Sequence, residues 1–295
     1  MRIVMGVKEY ESGLDMVRSL ERLAFPKPQV DVVHVLEAPG GALGQFLLSA
    51  SEGDFIAQYR NNQEFVARNM VGALCQDLES RGIRARSQVY DGKLGEQLLE
   101  YLEAQEVDLV TVFLARQGPI EGRFAARLAK RLLAEAKTSL LFCKHGIDVR
   151  GDRERAVFAT DHSDYARRCL DRFLAIAPRG IKHITVMTAF QKELTSALGP
   201  FVGHLGLDVS RWVQERLRVE SDRVAERLLA AGYEVSIEIR QEEVHEAIVH
   251  SMEQNQAYLL VLGAQGHSFV ERMTMGSVSM HEVIYGRHPV LVIRD

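Results

Sequence analysis

The stretch that decides the fold runs from residue 258 to residue 295 and reads YLLVLGAQGHSFVERMTMGSVSMHEVIYGRHPVLVIRD. A short apolar run leads into a glycine-containing segment, an amphipathic segment follows, and a second apolar run, PVLVI, ends the stretch. Continuous apolar runs of this length are typical of parallel strands that are buried on both faces. In the segment between the two runs, the apolar residues recur with the period of a helix. The stretch therefore predicts a strand, a loop, a helix and a second strand of a parallel α/β sheet.

The same pattern occurs once more in the chain. Residues 108–145 lie without gaps over residues 258–295 when they are shifted by 150 positions. Near the start of each half the shift becomes 153, so that residues 3–7 fall over residues 156–160. A repeat of this length indicates two copies of one domain.

Each copy alternates short β-branched runs with longer helical segments, which predicts a right-handed, doubly wound α/β domain with a five-stranded parallel sheet. We place the domains at residues 1–147 and 152–295, on either side of the polar seam KHGIDVRGDRER. The predicted strands are 3–7, 30–35, 84–90, 109–114 and 139–143 in the first copy, and 156–160, 184–188, 234–240, 259–262 and 290–293 in the second. The predicted helices of the second copy are 165–177, 209–231, 244–255 and 278–285.

Composition and charge narrow the functional classes. The chain has 295 residues, of which 46% are hydrophobic and 26% charged, and its net charge is -4. This balance is typical of globular domains and argues against a dedicated nucleic-acid binder, which usually carries a basic stripe. The chain starts directly with a strand pattern instead of a signal peptide, and no apolar run approaches the length of a membrane span. We therefore expect a cytoplasmic protein with no nucleic-acid or membrane partner.

A candidate phosphate-binding loop follows the predicted strand 259–262. Gly263 and Gly266 come directly after the strand, and Gly276 and Ser277 open the next helix. In doubly wound sheets ligands bind beyond the carboxyl ends of the strands, and the N–H groups at a helix N-terminus favour an anion. The glycines would permit positive φ angles and a close approach of the backbone. The spacing fits neither the Walker A motif nor the dinucleotide fingerprint.

This Gly-x2-Gly-x9-Gly-Ser spacing, followed by a helix and PVLVIR, resembles the universal stress protein family. The resemblance covers the whole chain as a tandem pair, with the second half the closer match, and it implies the adenine nucleotide alpha hydrolase-like fold. In that family the glycines and the Ser or Thr bind the phosphates of ATP, with or without Mg²⁺. The resemblance therefore assigns the phosphates to Gly263, Gly266, Gly276 and Ser277. His267 directly follows Gly266, so it could reach a phosphate or make only a polar contact.

The resemblance also implies two further contacts in the second half. Asp161, at the end of the first strand, matches an acidic residue that lies beside the nucleotide, and Met187 or Thr188 would border the adenine. Structural alternatives stand beside each assignment, since glycines occur at turns, Asp161 is a good helix cap, and Met187 and Thr188 fit a core. The match is weaker at Glu242 and Glu243, where the family has a glycine turn.

The first copy lacks the phosphate-binding residues. Under the same shifts Phe113, Arg116, Ala126 and Arg127 replace the three glycines and Ser277, and Lys8 replaces Asp161. The three cations either bind a different anion or pair with carboxylates such as Glu9 or Asp91. In both cases ATP is expected only in the second copy.

Three functions remain open from the sequence. The first is an ATP-binding regulatory or stress-response module without enzymatic activity. The second is a slow ATP hydrolase, with Asp161, His162 and His267 as the nearby polar groups. The third is an interaction protein that binds no nucleotide. The resemblance further implies that the last strands, 139–143 and 290–293, pair within one chain as a pseudo-twofold, with a homodimer as a further possibility.

Overall fold

The computed structural model describes residues 1–38, 53–115, 119–144, 154–191, 208–265 and 276–295. The chain divides into two compact units, Met1–His145 and Gly146–Asp295. Within the described ranges, no helix combines the length and the apolar character that crossing a membrane requires.

Within its described residues, the first unit contains five strands that alternate with four helices. Its strands are β1 (Arg2–Val7), β2 (Gln29–Leu36), β3 (Arg84–Asp91), β4 (Leu109–Leu114) and β5 (Ser139–Lys144). Its helices are α1 (Tyr10–Leu23), α2 (Gly53–Ser80), α3 (Leu94–Ala104) and α4 (Pro119–Glu135).

The second unit repeats this order. Its strands are β6 (Arg155–Ala159), β7 (His183–Ala189), β8 (Glu234–Arg240), β9 (Leu259–Gly263) and β10 (Val290–Ile293). Its helices are α5 (Asp164–Ile176), α6 (Val209–Ala230), α7 (Val244–Gln254) and α8 (Ser277–Ile284). Every predicted strand, and every predicted helix of the second copy, lies within one residue of its predicted bounds, so the tandem α/β fold is confirmed.

Both sheets have the same strand order, which positions the candidate site. The order is β3-β2-β1-β4-β5 in the first unit and β8-β7-β6-β9-β10 in the second. Strands β6 and β9 are parallel neighbours, with Phe158 opposite Val261. The chain leaves them toward opposite sides of the sheet, so a crevice opens between their carboxyl ends, where ligands bind in this class of fold.

The strands form because both faces of each sheet are covered by helices. In β9 the residues from Leu259 to Leu262 are all buried, as are all four residues of β10. Helices α5 and α6 begin at side-chain caps, since Ser163 accepts a hydrogen bond from the amide of Ala166 and Asp208 accepts from the amides of Ser210 and Arg211. Buried apolar strands and local caps therefore specify the same boundaries.

The two units differ in the helix that follows the fourth strand. In the second unit α8 starts at Ser277, whereas in the first unit α4 starts at Pro119, eight positions earlier under the 150-residue shift. Ala126 and Arg127 therefore lie in the interior of α4. The Ala- and Arg-rich sequence of α4 has high helix propensity and carries Ala126 and Arg127 where the second unit has the N-cap Gly276 and Ser277, so this helix begins earlier than α8.

Two helix glycines of the first unit test how tightly its core is packed. A Cβ at Gly13 on α1 would lie 2.5 Å from Leu74 Cδ1 on α2, whereas a Cβ at Gly72 would meet nothing within 4 Å. We expect Gly13→Ala to destabilise the protein by about 1–3 kcal/mol through overpacking. Gly72→Ala is expected to stabilise it by about 0.5–1 kcal/mol through helix propensity. Urea unfolding of both variants measures the difference, and equal shifts of the two midpoints would contradict the packing.

Candidate functional site

The carboxyl ends of β6 and β9 bring together the loops that carry most of the predicted site residues. Asp161 lies two residues beyond the end of β6, and Ala264 follows β9 directly. Since Phe158 is opposite Val261, the same register places Asp161 level with Ala264. The two segments that the sequence assigned to the nucleotide therefore begin at one edge of one sheet.

One carboxylate oxygen of Asp161 stabilises the local turn and the other does not. Asp161 Oδ1 accepts a hydrogen bond of 3.0 Å from the amide of Ser163, the residue that caps α5. Asp161 Oδ2 is buried and has no hydrogen-bond partner within the described part of the chain. A buried oxygen of a carboxylate is costly to leave without a donor, so this atom is suited to accept a hydrogen bond from a ligand.

His162 connects three elements around this turn. Its backbone is left-handed, with φ of 58°, a conformation in which histidine is enriched. Its Nε2 lies 2.8 Å from Thr188 Oγ1 at the end of β7 and 3.1 Å from Ser221 Oγ on α6. Because the Thr188 hydroxyl donates to the carbonyl of Thr160 at 2.9 Å, the histidine Nε2–H is the donor toward Thr188.

Helix α8 presents its N-terminus at the same edge. Gly276 is the N-cap, and the first helical hydrogen bond runs from the amide of Met280 to its carbonyl at 3.2 Å. The amides of Ser277, Val278 and Ser279 find no acceptor among the residues that the structure describes. Ser277 itself is exposed. The helix dipole adds a positive potential here, so the three N–H groups have the character that favours an anion.

The sequence assigned Gly276 to phosphate binding, but its amide makes a hydrogen bond within the protein. It donates to the carbonyl of Ala264 at 2.9 Å, so it closes the loop onto the end of β9. The expectation of positive φ angles is wrong for both described glycines of the loop, since Gly276 has φ of -60° and Gly263 is also outside the left-handed region. Their glycine character serves close packing instead: a Cβ at Gly276 would lie 3.1 Å from Ser279 Oγ and 3.3 Å from the carbonyl oxygen of Ala264.

Ser279 holds the loop and the helix together and was not identified from the sequence. Its side chain is 2% exposed, and its Oγ lies 3.2 Å from the carbonyl oxygens of Gly263 and Ala264 and 3.4 Å from that of Gly276. A hydroxyl carries one proton, so it donates to one of these carbonyls at a time. The signal in the sequence is the second serine of the Gly-Ser-Val-Ser run.

The two adenine candidates lie in the core at the end of β7. Met187 is 1% exposed and Thr188 is 3% exposed. The carbonyl of Met187 accepts a hydrogen bond of 3.0 Å from the amide of Thr160, and the Thr188 hydroxyl is engaged by Thr160 and His162. Both side chains are therefore held by protein contacts, and a role at the adenine stays a prediction.

The two glutamates that weakened the family match are both engaged within the protein. Glu243 caps α7, where its Oε2 accepts 2.7 Å from the amide of His245. Glu242 accepts 2.8 Å from His250 Nδ1 and lies 3.6 Å from Arg240. The hydrogen bond from His250 lowers the pKa of the Glu242 carboxyl, with Arg240 acting in the same direction. The charge of Glu242 is therefore compensated locally.

Three metal-ligand side chains converge between α7 and α8. The donor atoms of His245, His281 and Glu282 lie within 4.8 Å of one another, and His245 Nδ1 is 2.9 Å from Glu282 Oε1. Two imidazoles and one carboxylate suit Zn²⁺ and similar transition metals, whereas Mg²⁺ prefers oxygen ligands and keeps several waters. This cluster therefore does not fit the Mg²⁺ of a magnesium–ATP complex.

Two predicted residues, Gly266 and His267, lie outside the described residues.

Beside the described part of the loop, burial raises the pKa of the Cys169 thiol to about 12. Its Sγ lies 3.5 Å from the carbonyl of Ile293. A thiol with so high a pKa is not a nucleophile at neutral pH, so the site offers no cysteine chemistry.

Alanine variants of Ser277 and Ser279 distinguish a serine that supports the loop from a serine that is available to a ligand. We expect Ser279→Ala to destabilise the protein by about 1–2 kcal/mol, because it leaves buried carbonyls without their donor. Ser277→Ala removes an exposed hydroxyl and is expected to change stability by less than about 0.5 kcal/mol. Urea unfolding of both variants tests this, and equal stability of the two would remove the supporting role of Ser279.

Comparison with known proteins agrees with this architecture. The crystal structure of a universal stress protein from Archaeoglobus fulgidus DSM 4304 has a TM-score of 0.66 at 17% identity and covers 99% of this chain and 98% of that chain. A putative universal stress protein from Pseudomonas aeruginosa UCBPP-PA14 has a TM-score of 0.65 at 14% identity, with 99% and 92% covered.

The same fold also occurs elsewhere. The cytoplasmic domain of a prokaryotic cation chloride cotransporter has a TM-score of 0.55 at 10% identity and covers 100% of this chain and 95% of that chain. Identities this low establish the fold alone, and a fold does not define a function. No curated protein sequence is significantly similar to this chain.

Membership of a family rests on the sequence of the second half. The sequence profile of the universal stress protein family matches residues 153–294, which contain the loop after β9, helix α8 and Asp161. The first unit shares the fold without the phosphate-binding residues. The second unit is therefore a universal stress protein domain, and the chain as a whole has a tandem fold like that of solved universal stress proteins.

Proposed function

We propose that the second unit binds ATP and that the protein is a regulatory module of the stress response rather than an enzyme. The observation that carries the proposal is the N-terminus of α8, where the amides of Ser277, Val278 and Ser279 have no acceptor in the described structure. Backbone amides at a helix N-terminus are a common phosphate site. The family resemblance assigns the same segment to the phosphates of ATP.

Asp161 favours a ligand in which a nucleoside is attached to the phosphates. Its unpartnered Oδ2 stands at the end of β6, level with the start of the loop after β9. Hydroxyls of a ribose and N–H groups of a base are hydrogen-bond donors, and a carboxylate oxygen only accepts. An anion site beside a buried acceptor fits a phosphorylated nucleoside better than it fits inorganic phosphate.

The polar groups near the site favour binding over hydrolysis. A hydrolase would need a positioned base or water at the terminal phosphate. His162 was a candidate, but its Nε2 is engaged by Thr188 and Ser221 and its left-handed backbone belongs to the turn. We therefore assign His162 to the support of the site. Location in the cytoplasm, pairing of the two units and association of whole chains stay predictions from the sequence.

A charge at the first residue of α8 tests the phosphate contact. Glutamate at a helix N-terminus favours the helix, so Ser277→Glu should keep the fold while its carboxylate repels phosphates. We expect its ATP affinity to fall about tenfold or more, about 1.4 kcal/mol, relative to the neutral control Ser277→Gln. Calorimetric titration measures both variants. Adenosine, which has no phosphate, should bind them equally, and equal ATP affinities would exclude this helix as the phosphate site.

A second titration tests the nucleoside contact. Asp161→Asn keeps an oxygen for the amide of Ser163 but removes the charge and one acceptor. Because hydrogen bonds to charged groups contribute about 1.5–3 kcal/mol, we expect ATP and adenosine both to bind about 10- to 100-fold more weakly. An affinity for adenosine equal to that of the unmodified protein would show that Asp161 only caps its turn. Failure of the unmodified protein to bind ATP would reject the proposed function as a whole.

A further inference from the structure

The first unit contains a large cavity at the position where the second unit has its candidate nucleotide site. The cavity has a volume of about 1070 Å³ and is lined by the carboxyl ends of β1, β2 and β3 together with parts of α2, α3 and α4. Cavities that bind small molecules are typically of about this size, and the carboxyl edge is where doubly wound sheets bind them. Loss of the phosphate-binding residues has therefore not closed this edge of the sheet.

The charges that line the cavity are predominantly positive. Five lining side chains are cationic and three are carboxylates. The carboxylates have defined partners: Asp91 lies 2.7 Å from Arg60, and Glu96 lies 3.0 Å from Arg131 and 3.3 Å from Lys93. Glu37 accepts a hydrogen bond of 3.2 Å from the amide of Leu94.

Arg127 is a lining cation that takes part in none of these pairs. This exposed residue in the interior of α4 belongs to the lining of the cavity, and no carboxylate of the described residues lies within ion-pair distance of it. The alternative that Asp91 neutralises this cation does not hold, because Asp91 pairs with Arg60. Lys8, which replaces Asp161, lines the same cavity. The two substitutions that removed the nucleotide residues thus place positive charge in one cavity.

Most of the uncharged lining is apolar, with Tyr59, Gln63 and His34 as its polar side chains. Leu36, Ile56 and Leu128 contribute apolar surface. His34 also lines the cavity, and its Nδ1 lies 2.9 Å from the carbonyl of Val7. A carbonyl only accepts, so Nδ1 carries the proton, and burial lowers the pKa of His34, which keeps the ring neutral at pH 7. Its Nε2 is therefore an acceptor for a ligand N–H or O–H.

From this lining we propose that the first unit binds a small organic anion with a single acidic head group on an apolar, ring-sized body. Arg127 binds the carboxylate, sulfonate or phosphate monoester head, and the apolar side chains cover the body. Five cationic and three acidic side chains give the lining a positive net charge, which favours an anionic ligand. A triphosphate is disfavoured because Ala126 and Arg127 lie inside a helix, where the backbone amides are already hydrogen-bonded.

Two fluorescent probes of nearly the same shape test the charge requirement in the full-length protein. Anilinonaphthalene sulfonate carries an anionic head, and N-phenyl-1-naphthylamine is its neutral counterpart. We expect Arg127→Glu to weaken the sulfonate about tenfold or more, since it removes a charge-assisted contact, and to leave the neutral probe within about twofold. Lys130→Glu is the matched control, because Lys130 is exposed on the same helix and makes the same change in net charge.

Further variants locate the site and keep the test decisive. Arg127→Met retains an apolar stem and should give the same loss if Arg127→Glu fails to fold. Leu36→Trp fills the apolar part and should weaken both probes. Unchanged sulfonate binding in the Ser277→Glu variant would separate this site from the nucleotide site of the second unit. Equal effects of Arg127→Glu and Lys130→Glu, or equal losses of both probes in Arg127→Glu, would overturn the proposal.

Discussion

Parallel pairing of the first strand with the fourth is the constraint on which both candidate sites depend. In each unit these two strands are neighbours and end at the same edge, and the chain leaves them toward opposite sides. Their carboxyl ends therefore cannot be covered by a single connection. In the first unit a cavity lies next to this edge.

Much of the architecture could be predicted from the sequence because the hydrophobic patterns of its strands and helices are long and regular. Apolar strands of four to eight residues and amphipathic helices recur twice, so each copy supports the interpretation of the other. The spacing of Gly263, Gly276 and Ser277 also placed the helix N-terminus correctly. These signals are local, and the structure at these positions depends mainly on residues nearby in the chain.

The remaining features depend on contacts between distant segments. The hydrogen bond from Gly276 to Ala264 and the buried hydroxyl of Ser279 join a loop to a strand end, so spacing alone did not reveal them. The left-handed His162 is fixed by Thr188 and Ser221 from two other elements. Likewise, the charge near Glu242 could not be judged until His250 was placed beside it.

The extended helix α4 changes the origin of the donors that face an anion. In the second unit the donors at α8 are main-chain amides, which any amino-acid sequence supplies as long as the helix begins there. In the first unit the donor is the side chain of Arg127, and a single codon change replaces it. Under the two proposals, one half of the duplicated protein would have a ligand preference fixed by its backbone geometry, while the other half could acquire a new specificity through point substitutions without altering its fold.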